Sequence, residues 1–138
     1  MSQASHILIV HTNGPGLVEI TSPVSKWCNA QEINDGLLTL FIRHTSASLT
    51  IQENADPYVL DDLTDFFDRL APASRVYRHS AEGPDDMPAH IKAALTATQL
   101  SIPLINGKLS LGSWQGIYVF EHRDHGHTRE VALHVMGM

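Results

Sequence analysis

The chain has 138 residues, 43% of them apolar, and a net charge of −6 with neutral histidines. That size suits one domain hiding roughly two-thirds of its unfolded surface, and the composition excludes disorder. The acidic balance makes nucleic acid and anionic membranes poor partners, and no apolar run approaches the ~20 residues of a membrane span. The opening MSQASHILIV lacks a basic segment followed by a long apolar one, so no signal peptide is expected. Within it, SHILIVH (5–11) reads as a strand, and NGPG (13–16) as a turn before a second strand, LVEIT (17–21). Ser22 followed by Pro23 signals a helix start, a hydroxyl cap with proline in the first turn. Val24, Trp27 and Cys28 share one face of that helix, and Gly36 marks its end. Cys28 is the only cysteine, which cannot close an internal disulfide and fits a reducing cytoplasm.

LLTLFIR (37–43) reads as a buried strand and SLTIQ (48–52) as another. Asp56-Pro57 opens a second helix, with Leu60, Leu63, Phe67 and Leu70 at helical spacing. Asp61, Asp62, Asp65 and Asp68 fall mostly on its solvated side, and Pro72 closes it. A third helix is expected from about Met87 to Thr98, with Ile91, Ala94 and Leu95 facing inward. SIPLIN (101–106), GIYVFEH (116–122) and EVALHVM (130–136) read as strands. The order predicts a single α+β domain over 1–138, with a mixed, largely antiparallel sheet and helices on one side.

Histidines number nine, as many as lysines and arginines together. Histidine titrates near neutrality and ligates metals, so this excess points to catalysis or metal binding. The densest stretch is HSAEGPDDMPAHIK, residues 79 to 92. If the third helix begins near Asp86, then Asp86 and His90 stand at i and i+4 and point the same way. His79 arrives from a segment restricted by Gly83 and Pro84. A carboxylate beside an imidazole can orient the ring and raise its basicity, whether the ring holds a metal or moves a proton. An N-capping aspartate beside an exposed histidine would give the same pattern.

HTSASLTIQENADP (44–57) places His44 at a strand end and gathers Glu53, Asn54 and Asp56 before a helix. Asp56 is the natural cap there. NGKLSLGSWQGIYVFEHR (106–123) offers Lys108, Ser110 and Ser113 as donors beside three glycines, a phosphate cradle or simply a glycine-rich hairpin with Trp114 in the core. It is no Walker loop, and no CxxC, HExxH, GxGxxG or GxSxG pattern occurs. Any metal would therefore be held by histidine and carboxylate, which suits zinc, manganese or magnesium.

Taken together, HTSASLTIQENADP, YRHSAEGPDDMPAHIKAAL and SIPLINGKLSLGSWQGIYVFEHR resemble the YjbQ family, also called UPF0047, from about Leu37 to the C-terminus. LGSWQGI before EHR is the most specific piece. The resemblance implies a compact homotrimer with sites near subunit boundaries, and a secondary thiamine-phosphate synthase activity. That reaction joins a pyrimidine diphosphate to a thiazole phosphate and releases pyrophosphate. The family's polar motif residues fall on His44, Glu53, Asn54, Asp56, His79, Asp86, His90, Gln115, Glu121 and Arg123. Ser113 stands where a threonine is common, and His127 where relatives often carry glycine.

The expected site follows. His44, His79 and His90 hold a divalent cation, zinc or magnesium. Glu53, Asp56, Asp86, Gln115, Glu121 and Arg123 serve catalysis, and Lys108, Ser110 and Ser113 hold phosphate. A metal-dependent phosphate-ester hydrolase and a non-catalytic metal or metabolite binder remain as alternatives.

Overall fold

Alternation of apolar side chains along three strands builds the core. A computed structural model describes residues 1–138. In β3 (Gly36–Ile42), Leu38, Leu40 and Ile42 point inward; in β5 (Gln99–Ile105), Ile102 and Leu104 do so; in β8 (Thr128–Gly137), Val131, Leu133 and Val135. These strands pair antiparallel with β1 (Ser2–His11) and β6 (Lys108–Leu109) in the order β1-β8-β3-β5-β6. A second sheet has β7 (Gln115–Glu121) between β2 (Gly16–Glu19) and β4 (Ala47–Glu53). Its Leu49, Ile117 and Val119 meet the first sheet's inward face in one cluster. Each such residue stabilises the fold by about 1.5–3 kcal/mol through burial.

The α+β class is as expected, with the sheet divided in two and every strand pairing antiparallel. The reason lies in the connections. Helix α1 (Thr21–Asn29) leads from β2 to β3, and α2 (Pro57–Leu70) with α3 (Asp86–Leu95) leads from β4 to β5. Each helical connection carries the chain from one sheet to the other, so no strand is followed by a parallel neighbour. The other face of the five-stranded sheet carries no helix, and Ile7, Ile9, Leu37, Phe41 and Met136 stand 40–48% exposed on it.

Local signals held where a side chain acts on its own backbone. Asp56 caps α2, its Oδ1 accepting from Tyr58 N at 2.9 Å, with Pro57 in the first turn. Phe67 of α2 then meets Phe120 edge-on, with ring centres 5.5 Å apart.

Other expectations are corrected. Ser22 does not cap α1: the helix begins a turn position earlier, at Thr21 after Ile20, because Val24 N reaches Ile20 O. Gly36 does not end that helix but opens β3. A Cβ there would lie 2.2 Å from Met136 O, so the close strand approach needs glycine. Helix α3 stops at Leu95, and its inward face carries Pro88, Ala89 and Ala93, while Leu95 is 58% exposed. Asp86 and Lys92 occupy that inward face too, because Arg123 pairs with Asp86 and Asp68 with Lys92, and this masks the apolar phase. Trp114 is 65% exposed rather than in the core.

Asp56→Ala should lower the unfolding free energy by about 1 kcal/mol, as loss of an N-cap does, and Asp56→Ser should retain most of it. Urea denaturation measures both.

Candidate functional site

The first turn of α3 sets the site. Asp86 is its first residue and His90 follows one turn later, so His90 Nε2 lies 3.0 Å from Asp86 Oδ2. His79 comes from the preceding irregular segment and puts its Nε2 2.7 Å from the same oxygen. One ligand atom from each residue lies within 4.8 Å of the others. His90 Nδ1 donates to the carbonyl of Thr45 at 2.8 Å. That bond fixes the ring and leaves Nε2 as the atom facing Asp86, the second contact that metal-binding histidines commonly make. Two imidazole nitrogens and one carboxylate oxygen suit a zinc-like ion with a further position open.

Arg123, just past β7, orients the acid. Its Nη1 lies 3.2 Å from Asp86 Oδ1, and its Nε donates to Asp85 Oδ2 at 2.7 Å. Its Nη2 donates to Glu82 O at 3.1 Å, so each nitrogen of the guanidinium has a partner. Asp85 also accepts from Asp124 N and does not cap α3 with its side chain. Burial pushes the Asp85 carboxyl up, but the Arg123 hydrogen bond and charge overcome it and hold it at about 2. Asp86 is likewise held below the usual range: burial raises it, and the His79 bond with the His90 and Arg123 charges outweighs that.

Behind this group lies a buried pair. Arg129 of β8 grips Glu121 of β7 through Nε at 2.8 Å and through Nη2. Thr12 Oγ1 donates to Glu121 at 2.6 Å, and the backbone N–H groups of His122 and Arg123 complete the shell. Burial raises the Glu121 carboxyl and Arg129 with Thr12 pulls it below its ordinary value. His44 joins from the end of β3. Its Nε2 accepts from Glu130 N at 2.8 Å, and its Nδ1 lies 3.4 Å from Arg129 Nη1. Neither nitrogen of His44 faces the His79–Asp86–His90 group, so the expectation of His44 as a third metal ligand is corrected: the backbone of β8 takes its lone pair. Burial, then the Arg129 charge, lowers its pKa.

The other expected residues lie elsewhere. Glu53 pairs with Gln115 across the β4–β7 ladder, six residues along β7 from Glu121. That is about 20 Å at 3.3 Å per residue. There Glu53 Oε2 accepts from Asp56 N, and Gln115 Oε1 accepts from Gly112 N, both local turn bonds. Lys108 pairs with Ile105, at the far end of β5 from Gln99, which lies opposite Phe41 near His44. Ser110 N bonds Pro103 O, and Ser113 is exposed. Within one chain, Glu53, Asp56, Lys108, Ser110, Ser113 and Gln115 are thus not brought to the His79–Asp86–His90 group, because strand direction puts them at the opposite ends of the sheets.

Residues the motifs did not single out complete the network. Arg129 occupies the inward phase of β8 with Val131 and Leu133, so a cation at an apolar register position was a readable signal. His122, 3% exposed, bonds Ser48 Oγ through Nε2 at 2.9 Å, and its Nδ1 has no partner. Lys92, also buried, pairs with Asp68 at 2.5 Å.

Fold and site together define a small antiparallel α+β protein with a histidine–aspartate group at a helix N-terminus. Residues 5–138 match the family model described as UPF0047 protein YjbQ-like. The chain is 52% identical over 136 residues to UPF0047 protein sll1880 of Synechocystis, covering 98% of this chain and 92% of that one. It is 47% identical over 105 residues to UPF0047 protein YjbQ of Escherichia coli O157:H7, covering 76% of each. A solved YjbQ/UPF0047 structure from Clostridium acetobutylicum superposes with a TM-score of 0.85 at 37% identity, covering 96% of this chain and 99% of that one. A YbjQ-like structure from Sulfolobus solfataricus shares the fold, with a TM-score of 0.87 at 21% identity over 99% of this chain and all of that one. The chain belongs to the YjbQ/UPF0047 family.

Burial, then the Lys92 charge, pulls the His122 pKa from the ordinary 6.5 down to about 3. The unfolded chain then binds one more proton between those values, so this contribution is complete above pH 6.5 and is lost as pH falls toward 3. Stability should therefore fall by about 1.4 kcal/mol per pH unit from this group alone. Urea titrations from pH 7 to pH 4 should show a slope shallower by one proton in His122→Gln.

Proposed function

We propose that this protein binds a divalent cation at His79, Asp86 and His90 and uses it in reactions of a phosphorylated small molecule. The convergence of two imidazole Nε2 atoms on one oxygen of Asp86 carries the reading. A bound divalent ion supplies positive charge to the phosphate oxygens of a leaving group. The chain's own part is orientation. Thr45 O fixes the His90 ring, and Arg123 holds Asp86 Oδ1 so that Oδ2 stays turned to the histidines. A thiamine-phosphate synthase-like transfer, releasing pyrophosphate from a pyrimidine diphosphate, is the reaction that the family resemblance favours. In that reaction Lys108, Ser110 and Ser113 would hold phosphate from a neighbouring subunit. The bare apolar face of the five-stranded sheet supports assembly into a homotrimer. Buried, unpaired Cys28 supports a cytoplasmic setting; no helix is long and apolar enough to cross a membrane.

The separation of Lys108 from His90 within one chain favours a second reading, hydrolysis of a phosphate ester. His79, Asp86 and His90 would hold the ion, and it would supply the charge that activates water. A non-catalytic metal or metabolite binder would show the same ion binding without turnover.

Calorimetric titration with zinc should show one site per chain, weakened about 10–100-fold by Arg123→Gln, as loss of an orienting partner does, and abolished by His90→Ala. Purified protein given both thiamine precursors should form thiamine phosphate above the His90→Ala background. Unchanged zinc affinity in His79→Ala and His90→Ala would overturn the metal reading. Phosphate release without thiamine phosphate would select hydrolysis.

A further inference from the structure

His44 is left with a donor that nothing in the chain accepts. The backbone N–H of Glu130 can only donate, so His44 Nε2 must be the accepting nitrogen. A neutral ring then carries its proton on Nδ1. That N–H faces Arg129 Nη1 across 3.4 Å, and a guanidinium can only donate. The rest of the Arg129 head is spent: Nε on Glu121, Nη2 on Glu121 and on the carbonyl of Ser46. Two N–H donors, one of them on a residue only 3% exposed, thus stand side by side with no acceptor between them.

His44 also lines a cavity of about 330 Å³ with Thr45, His90, Ala93, Ala94 and Thr98. No carboxylate stands on that wall. Two buried acids stand behind it: Asp86, held by His79, His90 and Arg123, and Glu121, which already accepts from Thr12, from Arg129 and from two backbone N–H groups. An incoming negative oxygen at His44 therefore meets its donor on the wall and Arg129 just behind, with the charges of Arg129 and Arg43 set against those of Glu130 and Glu121. Two alanines leave space for a small body, and two threonines border it.

We propose that this cavity is an oxyanion-binding site, in which one carboxylate or phosphoryl oxygen of a small substrate accepts from both His44 Nδ1 and Arg129 Nη1. His90 belongs to the cavity wall and to the His79–Asp86–His90 group at once. A molecule held at His44 thus extends toward that group, and this half of the inference rests on the function proposed above. The substrate class is a small molecule with an acidic group at one end and its reacting group at the other.

The test is made on metal-free protein in the presence of chelator, by nitrogen-15 NMR of the histidine rings. His44 should be neutral with its proton on Nδ1. Added acetate or inorganic phosphate should shift His44 Nδ1 saturably, while exposed His6 and His11 move only linearly. The anion that saturates at lower concentration identifies the group as carboxylate or phosphoryl. Followed instead at the ring of His90 on the same wall, binding should be about tenfold weaker in His44→Phe and His44→Gln, the loss of one hydrogen bond to a charged group. A proton on Nε2 in the wild-type protein would overturn the inference whatever the variants do. So would the absence of saturation, an equal response to neutral acetamide, or undiminished binding in both variants. Loss of zinc binding alone, with this response intact, would overturn the proposed function and leave the oxyanion site standing.

Discussion

The contact between Arg129 and Glu121 joins the two sheets at their polar end. Arg129 comes from β8 of the five-stranded sheet and Glu121 from β7 of the three-stranded one. Glu121 is fully buried and Arg129 nearly so. Such a pair adds little net stability against an apolar replacement, but removing one partner strands a charge and costs about 3–5 kcal/mol. Its value is positional. Glu121 accepts from the backbone of His122 and Arg123, which fixes where the Arg123 side chain leaves β7. Arg123 in turn holds Asp85 and Asp86, and Asp86 faces His79 and His90. On the other side Arg129 faces His44. A buried pair thus supports the aspartate group on one side and the His44 cavity on the other.

This arrangement explains why the polar residues of one end are so fully engaged. Asp85, Asp86 and Glu121 each have a stated partner, and burial raises each of these carboxyls less than its donors lower it. The negative charges are held and spread before any ligand arrives, which is the preorganisation an ionic site needs. Histidine, not carboxylate, supplies the groups left with spare capacity. His79 and His90 turn a nitrogen to a shared oxygen, and His44 turns one to another donor. The residues at the opposite end form a different set. Glu53, Asp56 and Gln115 close turns and cap a helix, roles that satisfy backbone and leave little for a ligand.

Much of the architecture was legible in the chain because it depends on local rules. Period-two alternation in LLTLFIR gave the core face of β3. Asp-Pro gave the start of α2, since a side-chain cap and a missing N–H act within one turn. The i and i+4 spacing of Asp86 and His90 gave their contact for the same reason. The inward face of α3 was misread because Asp86 and Lys92 lie on it, and only their partners Arg123 and Asp68 make that burial tolerable. Trp114 was misplaced because its loop turns outward, a choice made by chain path rather than by hydrophobicity.

The sequence by itself determined the family, the α+β class, most strand and helix positions, and the pairing of His90 with Asp86. It could not determine which end of a sheet a residue would occupy, since that depends on strand direction and register summed over the whole fold. Only the folded chain separated Lys108 and Gln115 from His90, brought His79 to Asp86, and turned His44 from the expected ligand into a backbone-held donor beside Arg129. Hydrogen bonds and charge pairs act over a few ångströms. Residues far apart in sequence share them only after the sheets have closed around the core.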